Sequence, residues 1–154
     1  MELPTDCQID TDLELLFPES YIENVSERIR MYRTLDNIDT EEKLADFEQE
    51  LTDRFGMIPE PSRELINVIR LRWMAARLGF EKIILRNERL LVHFVSNQKS
   101  PYYESATFGG ILRHVQKNPR LFRMKEAKDK LTMSVEPVKN IGKCIEILEK
   151  MDRD

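Results

Sequence analysis

KIILRNERLLVHFV, residues 82–95, decides the fold. Lys82 to Leu85 and Leu90 to Val95 are two strand-like apolar runs flanking Asn87 and Glu88, and this arrangement predicts a β-hairpin. The chain therefore contains a sheet, although most of what surrounds the hairpin has helical spacing.

Immediately upstream, Leu65, Ile66, Ile69, Trp73 and Ala76 form the broad apolar face of a helix that Pro59 and Pro61 introduce and that ends at Leu78 and Gly79. Before it, Leu44, Phe47, Leu51 and Phe55 recur at spacings of 3, 4 and 4. This is the inward stripe of another helix, with Glu48, Glu50 and Asp53 left in water and Gly56 as a left-handed stop. Asp39 and Glu42 fit a capping box at its start. Further back, Ser20 is the expected cap of a first helix running to about Leu35, with Ile22, Val25, Ile29 and Tyr32 as its stripe and Met31 beside them. The alternation of Ile9, Thr11, Leu13, Leu15 and Phe17 up to Pro18 has the two-residue period of a strand or an extended arm.

Downstream, Phe108, Ile111, Leu112 and Val115 predict a helix over 105–117. Gly109 and Gly110 each lower its propensity by about 1 kcal/mol relative to Ala, and close packing against a neighbour is the expected reason. Leu121 to Met124 reads as extended, and Leu131, Met133 and Val135 alternate as a further strand. Pro137 is the expected opening of a last helix with Ile141, Cys144, Ile145 and Leu148 inside. The order ααα, ββ, α, ββ, α predicts an α+β fold: a three-helix segment, then a small antiparallel sheet packed with two further helices. The expected organisation is an extended segment over 1–17 and a single domain over 18–154.

The 154 residues carry 24 Lys and Arg against 28 Asp and Glu, a net charge of −4, and 41% apolar residues, which fits one compact domain and excludes a disordered chain. Residues 1–56 hold 16 acids and 5 bases, whereas residues 57–154 hold 12 acids and 19 bases. The acidic half repels nucleic acid and attracts a basic protein surface. No apolar run is long enough to span a bilayer and no secretion signal is visible, so a cytoplasmic location is expected.

Chemistry finds little support. No Gly-rich loop followed by Lys and Ser/Thr is present to cradle a phosphate. Cys144 falls on the core face of the last helix, and His93 and His114 are expected on partly exposed faces without metal-ligand spacing. No catalytic, metal or cofactor residue is expected. Arg120, Arg123, Lys125, Lys128 and Lys130 surround Phe122 in a pattern that suits either single-stranded nucleic acid or the solvated edge of a strand. Glu50 and Asp53, three residues apart on one helix face, suit basic groups on a partner, with Arg54 in the same patch; pairing of Glu50 with Arg54 within the helix is the alternative.

The run Glu50-Leu51-Thr52-Asp53-Arg54-Phe55-Gly56, followed by Pro59 and a long helix ending Leu78-Gly79, resembles the C-terminal domain of bacterial transcription-repair coupling factors. Pro18, Tyr21, Ile22, Arg28 and Tyr32 extend the likeness upstream. The resemblance implies a non-catalytic regulatory domain of an ATP-driven DNA translocase whose motor lies elsewhere in the parent protein. It implies docking on a UvrB-like N-terminal module, which masks the surface for UvrA until stalled RNA polymerase is engaged. Glu50 and Asp53 would carry that docking. A nucleic-acid-binding accessory module using residues 120–130 is the alternative function.

Overall fold

A computed structural model describes residues 3–153. The chain forms two compact units, one from the N-terminal residues up to Leu13 together with Val68 onward, the other from Glu14–Asn67.

The sheet-containing unit holds β1 (Gln8–Thr11), β2 (Lys82–Arg86), β3 (Arg89–His93), β4 (Phe122–Ala127) and β5 (Lys130–Val135) in the order β1-β2-β3-β5-β4. The hairpin predicted over 82–95 is present. Asn87 and Glu88 both have positive φ, 53° and 60°, the twist-matched geometry of a two-residue hairpin. Lys128 and Asp129 repeat it between β4 and β5 with φ of 52° and 61°. The antiparallel expectation needs one correction: β1 pairs parallel with β2, Ile9 opposite Ile83, so the sheet is mixed. Three helices separate these two strands in the chain, ample length for a parallel return.

Register puts Ile83, Val92, Met133 and Met124 in one cross-strand row, and Leu85, Leu90, Val135 and Phe122 in the next, on the same face. All except half-buried Met124 are buried. Two helices serve that face, α4 (Ala106–Lys117) and α5 (Ile141–Asp152). Phe108 of α4 meets the Phe94 ring edge-on at 5.7 Å, and His114 meets Phe122 at 5.4 Å. His114 is thus buried rather than partly exposed. Cys144 lies in the apolar face of α5, and neither it nor buried Cys7 forms a disulfide among the described residues. Burial pushes the Cys7 thiol up to about 12, which keeps it protonated and unreactive at neutral pH.

Three local expectations are corrected. Pro137 does not open α5; Asn140 does, its side chain accepting from Lys143 N at 2.8 Å. The extended stretch expected from Leu121 begins as β4 only at Phe122, and Leu121 itself is exposed. A β-carbon at Gly109 would meet only the Arg113 guanidinium, at 3.5 Å, so no close packing requires that glycine.

The start of β1 is tied by Asp6, whose carboxylate takes two hydrogen bonds from Arg72, 3.1 Å from Nε and 2.6 Å from Nη2. The Arg72 hydrogen bonds hold the Asp6 carboxyl below its ordinary value. A depressed carboxylate stabilises the fold above its unfolded pKa, and that contribution disappears as pH falls through the folded value. Asp6→Asn is therefore expected to lose stability at pH 7, by about 1 kcal/mol at most because the pair is half exposed. The difference from wild type should shrink in urea titrations as pH falls below the ordinary carboxylate value and vanish once the folded-state Asp6 carboxyl is protonated.

In the helical unit, α1 (Val25–Asp36) and α2 (Glu41–Phe55) precede α3 (Glu60–Arg77), whose first turns belong here and whose remainder belongs to the sheet-containing unit. The caps differ from expectation by a few residues. Asn24 rather than Ser20 caps α1, accepting from Glu27 N at 2.9 Å, and Thr40 rather than Asp39 caps α2, accepting from Lys43 N at 3.1 Å. The stripe expected on α1 is also rotated: Val25 and Ile29 are exposed, while Met31 and Leu35 are buried. In α3, Ile66 and Ile69 are buried as expected, with Leu71 and Ala75 in place of Trp73 and Ala76.

Candidate docking surface

α2 is a sharply divided amphipathic helix. Leu44, Phe47 and Leu51 are buried, whereas Asp46, Glu50, Asp53 and Arg54 are exposed. Spacing alone produces this, because positions offset by one or two from the stripe point away from the core.

The helix is held rigidly by polar ties whose residue types the hydropathy pattern does not register. The Tyr21 hydroxyl lies 2.8 Å from the Gly56 carbonyl and 3.2 Å from that of Leu51, a shared donor closing the C-terminal end of α2. Its ring meets Phe55 edge-on at 5.8 Å. Tyr32 accepts from Phe17 N at 2.8 Å, and Arg28 donates to the Ile22 carbonyl at 2.8 Å. Ser62 donates to the Leu16 carbonyl at 2.8 Å. These bonds fasten the irregular segment between β1 and α1. Tyr21 and Arg28 stood out in the sequence only through the family likeness. Tyr21→Phe removes the clamp with little change in shape and is expected to lower stability by about 1 kcal/mol, measured as a shift of the urea unfolding midpoint at constant m.

Within this frame the three candidate residues separate. Glu50 stands on the wall of an open cleft of about 400 Å³ lined by Thr34, Asn37, Ile38, Lys43, Asp46 and Phe47. Asp53, three residues on, accepts from Gln49 Nε2 at 2.9 Å. No ion pair among the described residues engages either carboxylate. Arg54 turns elsewhere: its Nη2 donates to Glu27 Oε2 at 2.9 Å, and its guanidinium lies 4.8 Å from the centre of the Phe55 ring. It thus ties α2 to α1 rather than pairing with Glu50. Arg30 reaches the same carboxylate, and hydrogen bonds from Arg30 and Arg54 hold the Glu27 carboxyl below its usual range.

The field around Glu50 and Asp53 is negative, since residues 14–67 contain fourteen Asp and Glu against six Arg and Lys. Among the described residues no cluster of three or more His, Cys, Asp or Glu is placed to hold a metal ion, and no helix is long and apolar enough to cross a membrane. The arrangement offers two carboxylates at fixed spacing beside a shallow, partly apolar cleft, which can accept hydrogen bonds and ion pairs from a basic surface.

Comparison with known proteins agrees with this architecture. The transcription-repair-coupling factor of Escherichia coli is 30% identical over 122 residues, 78% of this chain and 10% of that protein. The factor of Buchnera aphidicola is 29% identical over 117 residues, 76% of this chain and 14% of its own length. That of Mycobacterium bovis is 35% identical over 82 residues, 53% of this chain and 7% of that protein. The chain thus spans about a tenth of the length of these relatives. The crystal structure of the C-terminal domain of a transcription-repair coupling factor superposes with a TM-score of 0.71 at 13% identity, covering 97% of both chains, and so shares the fold. The TRCF domain model matches residues 11–105, more than half of the sequence, and the chain belongs to the TRCF domain family of the transcription-repair coupling factors.

Proposed function

We propose that this domain is a non-catalytic regulator that works by covering another surface. Its partner is the UvrB-like N-terminal module of a parent transcription-repair coupling factor, an ATP-driven DNA translocase. Docked, the domain masks the surface for UvrA and restrains the motor; engagement of stalled RNA polymerase releases it. The parent acts in nucleotide-excision repair in the cytoplasm and links this domain indirectly to UvrA, RNA polymerase and DNA.

The observation that carries this reading is the division of labour on α2: Glu50 and Asp53 are exposed and outside every ion pair of the described residues, on a helix pinned at its end by Tyr21. A rigid carrier lowers the entropy lost when two carboxylates meet basic groups. Arg54 supports the surface as a positioning residue, through Glu27 and Phe55. The switch needs a lock only a few kcal/mol deep, so that polymerase and nucleotide can open it. Mixing the chain with the N-terminal region of a parent factor tests the reading: association of the wild type, lost in Glu50→Ala/Asp53→Ala, is expected.

A further inference from the structure

The face of the sheet opposite the helices carries a pattern that the docking reading does not use. Register aligns Lys82, His93, Thr132 and Lys125 across β2, β3, β5 and β4 in one row, and Ile84, Leu91, Ser134 and Arg123 in the next. Lys130 extends the same face by alternation along β5. Arg86 and Arg89 form a third row. Phe108 and His114 of α4 contact Phe94 and the core-facing Phe122, so the helices occupy the other side. On this side His93, Ile84, Leu91, Thr132 and Ser134 are half-buried, while Arg89, Arg123, Lys125 and Lys130 are exposed.

Few acids balance these bases. Asp10, in register with Ile84, pairs with Arg86 at 2.7 Å. Glu126 alternates to the opposite face, and Glu88 sits in the hairpin turn. No ion pair of the described residues takes Lys82, Arg89, Arg123, Lys125 or Lys130. At one end, Gln8, Glu81, Lys82, His93, Ser96 and Lys130 line a cleft of about 230 Å³. The Glu81 carboxylate is turned to the Ser96 backbone, accepting from its N–H at 2.9 Å.

We propose that this open sheet face binds single-stranded nucleic acid, with Lys82, Arg89, Arg123, Lys125 and Lys130 on the phosphates and the half-buried Ile84–Leu91–His93 surface under the bases. Five cations spread over β2, β3, β4 and β5, roughly 14 Å at the usual strand spacing, suit a chain with regularly repeated charge. An acidic peptide adding to the free β4 edge would use main-chain groups and the side chains of one strand; here the cations rise from the face, not the edge. A duplex is disfavoured because the cations are spread over the face of a four-strand surface rather than on a single helix or two-stranded ribbon sized to enter a groove. With His93 as the one ring on the platform, electrostatics dominates and binding is independent of sequence.

A labelled oligothymidylate of about twenty nucleotides, titrated with the full chain by fluorescence anisotropy across a salt series, tests this. Five phosphate contacts give a slope of log K against log salt of about −3.5. Lys82→Ala/Arg123→Ala/Lys125→Ala is expected to weaken binding at least about tenfold and reduce the slope to about −1.4. Arg123→Ala/Lys125→Ala, both on exposed positions of an edge strand, should give an intermediate slope, and circular dichroism reports whether each variant is folded. Glu50→Ala/Asp53→Ala should retain wild-type binding, which separates this surface from the docking reading. No association at low salt, binding that the folded variants leave unchanged, or displacement by polyglutamate as effective as by unlabelled oligothymidylate overturns the proposal, the last in favour of an acidic protein.

Discussion

Gly79→Ala is expected to destabilise the domain by at least about 3 kcal/mol, the largest stability effect of any single substitution considered. Gly79 follows α3 at φ +85°, where an L side chain is strained. Strain is the smaller part. A β-carbon there would lie 2.2 Å from Cε1, 2.5 Å from Cζ and 2.8 Å from the hydroxyl of Tyr102. The Tyr102 ring cannot yield: it is fully buried, its hydroxyl donates to the Leu78 carbonyl at 2.6 Å, and Tyr103 and Phe108 flank it at 5.1 and 5.4 Å. Displacing it would break a buried hydrogen bond and an aromatic cluster together. Gly56→Ala is the control, since φ is +87° there but nothing lies within 4 Å of the added carbon. Only backbone strain of about 1–3 kcal/mol is expected. Urea unfolding of the two variants measures the difference; equal losses would mean that Tyr102 gives way.

The second large effect is on docking. Truncating desolvated carboxylates that meet basic partners costs about 2 kcal/mol or more, because the partner charges are left buried and unpaired. Glu50→Ala/Asp53→Ala is thus expected to weaken association with the parent's N-terminal module by about thirtyfold or more. The domain itself should lose little stability, since both residues are exposed and Asp53 forfeits only a surface hydrogen bond with Gln49. In a full-length parent the same change should raise UvrA binding or motor activity.

The contrast between α1 and α2 shows what a sequence can disclose. On α2 the apolar stripe is complete, so the leftover faces, Glu50 and Asp53 among them, could be assigned by spacing. On α1 the period was right and the phase wrong. Its inward side includes Arg28, whose guanidinium bonds to the Ile22 carbonyl and which hydropathy places outside, next to Tyr32 of the expected stripe, whose hydroxyl accepts from the Phe17 N–H. The 82–95 hairpin was legible because alternation and turn are local. The Lys128–Asp129 turn lacks the Asn-Gly type of signal, and the parallel pairing of β1 with β2 depends on residues more than seventy positions apart. The partner of Arg54, Glu27, is likewise 27 positions away and invisible to helical spacing. The cationic sheet face emerged only when register joined Lys82 to residues 123–130.

Calorimetric titration of the parent's N-terminal region with this chain tests the central claim most directly. A saturable heat for the wild type, abolished or weakened at least about thirtyfold in a folded Glu50→Ala/Asp53→Ala variant, is the predicted result. Equal affinity of the two chains, or no association of the wild type, would contradict it.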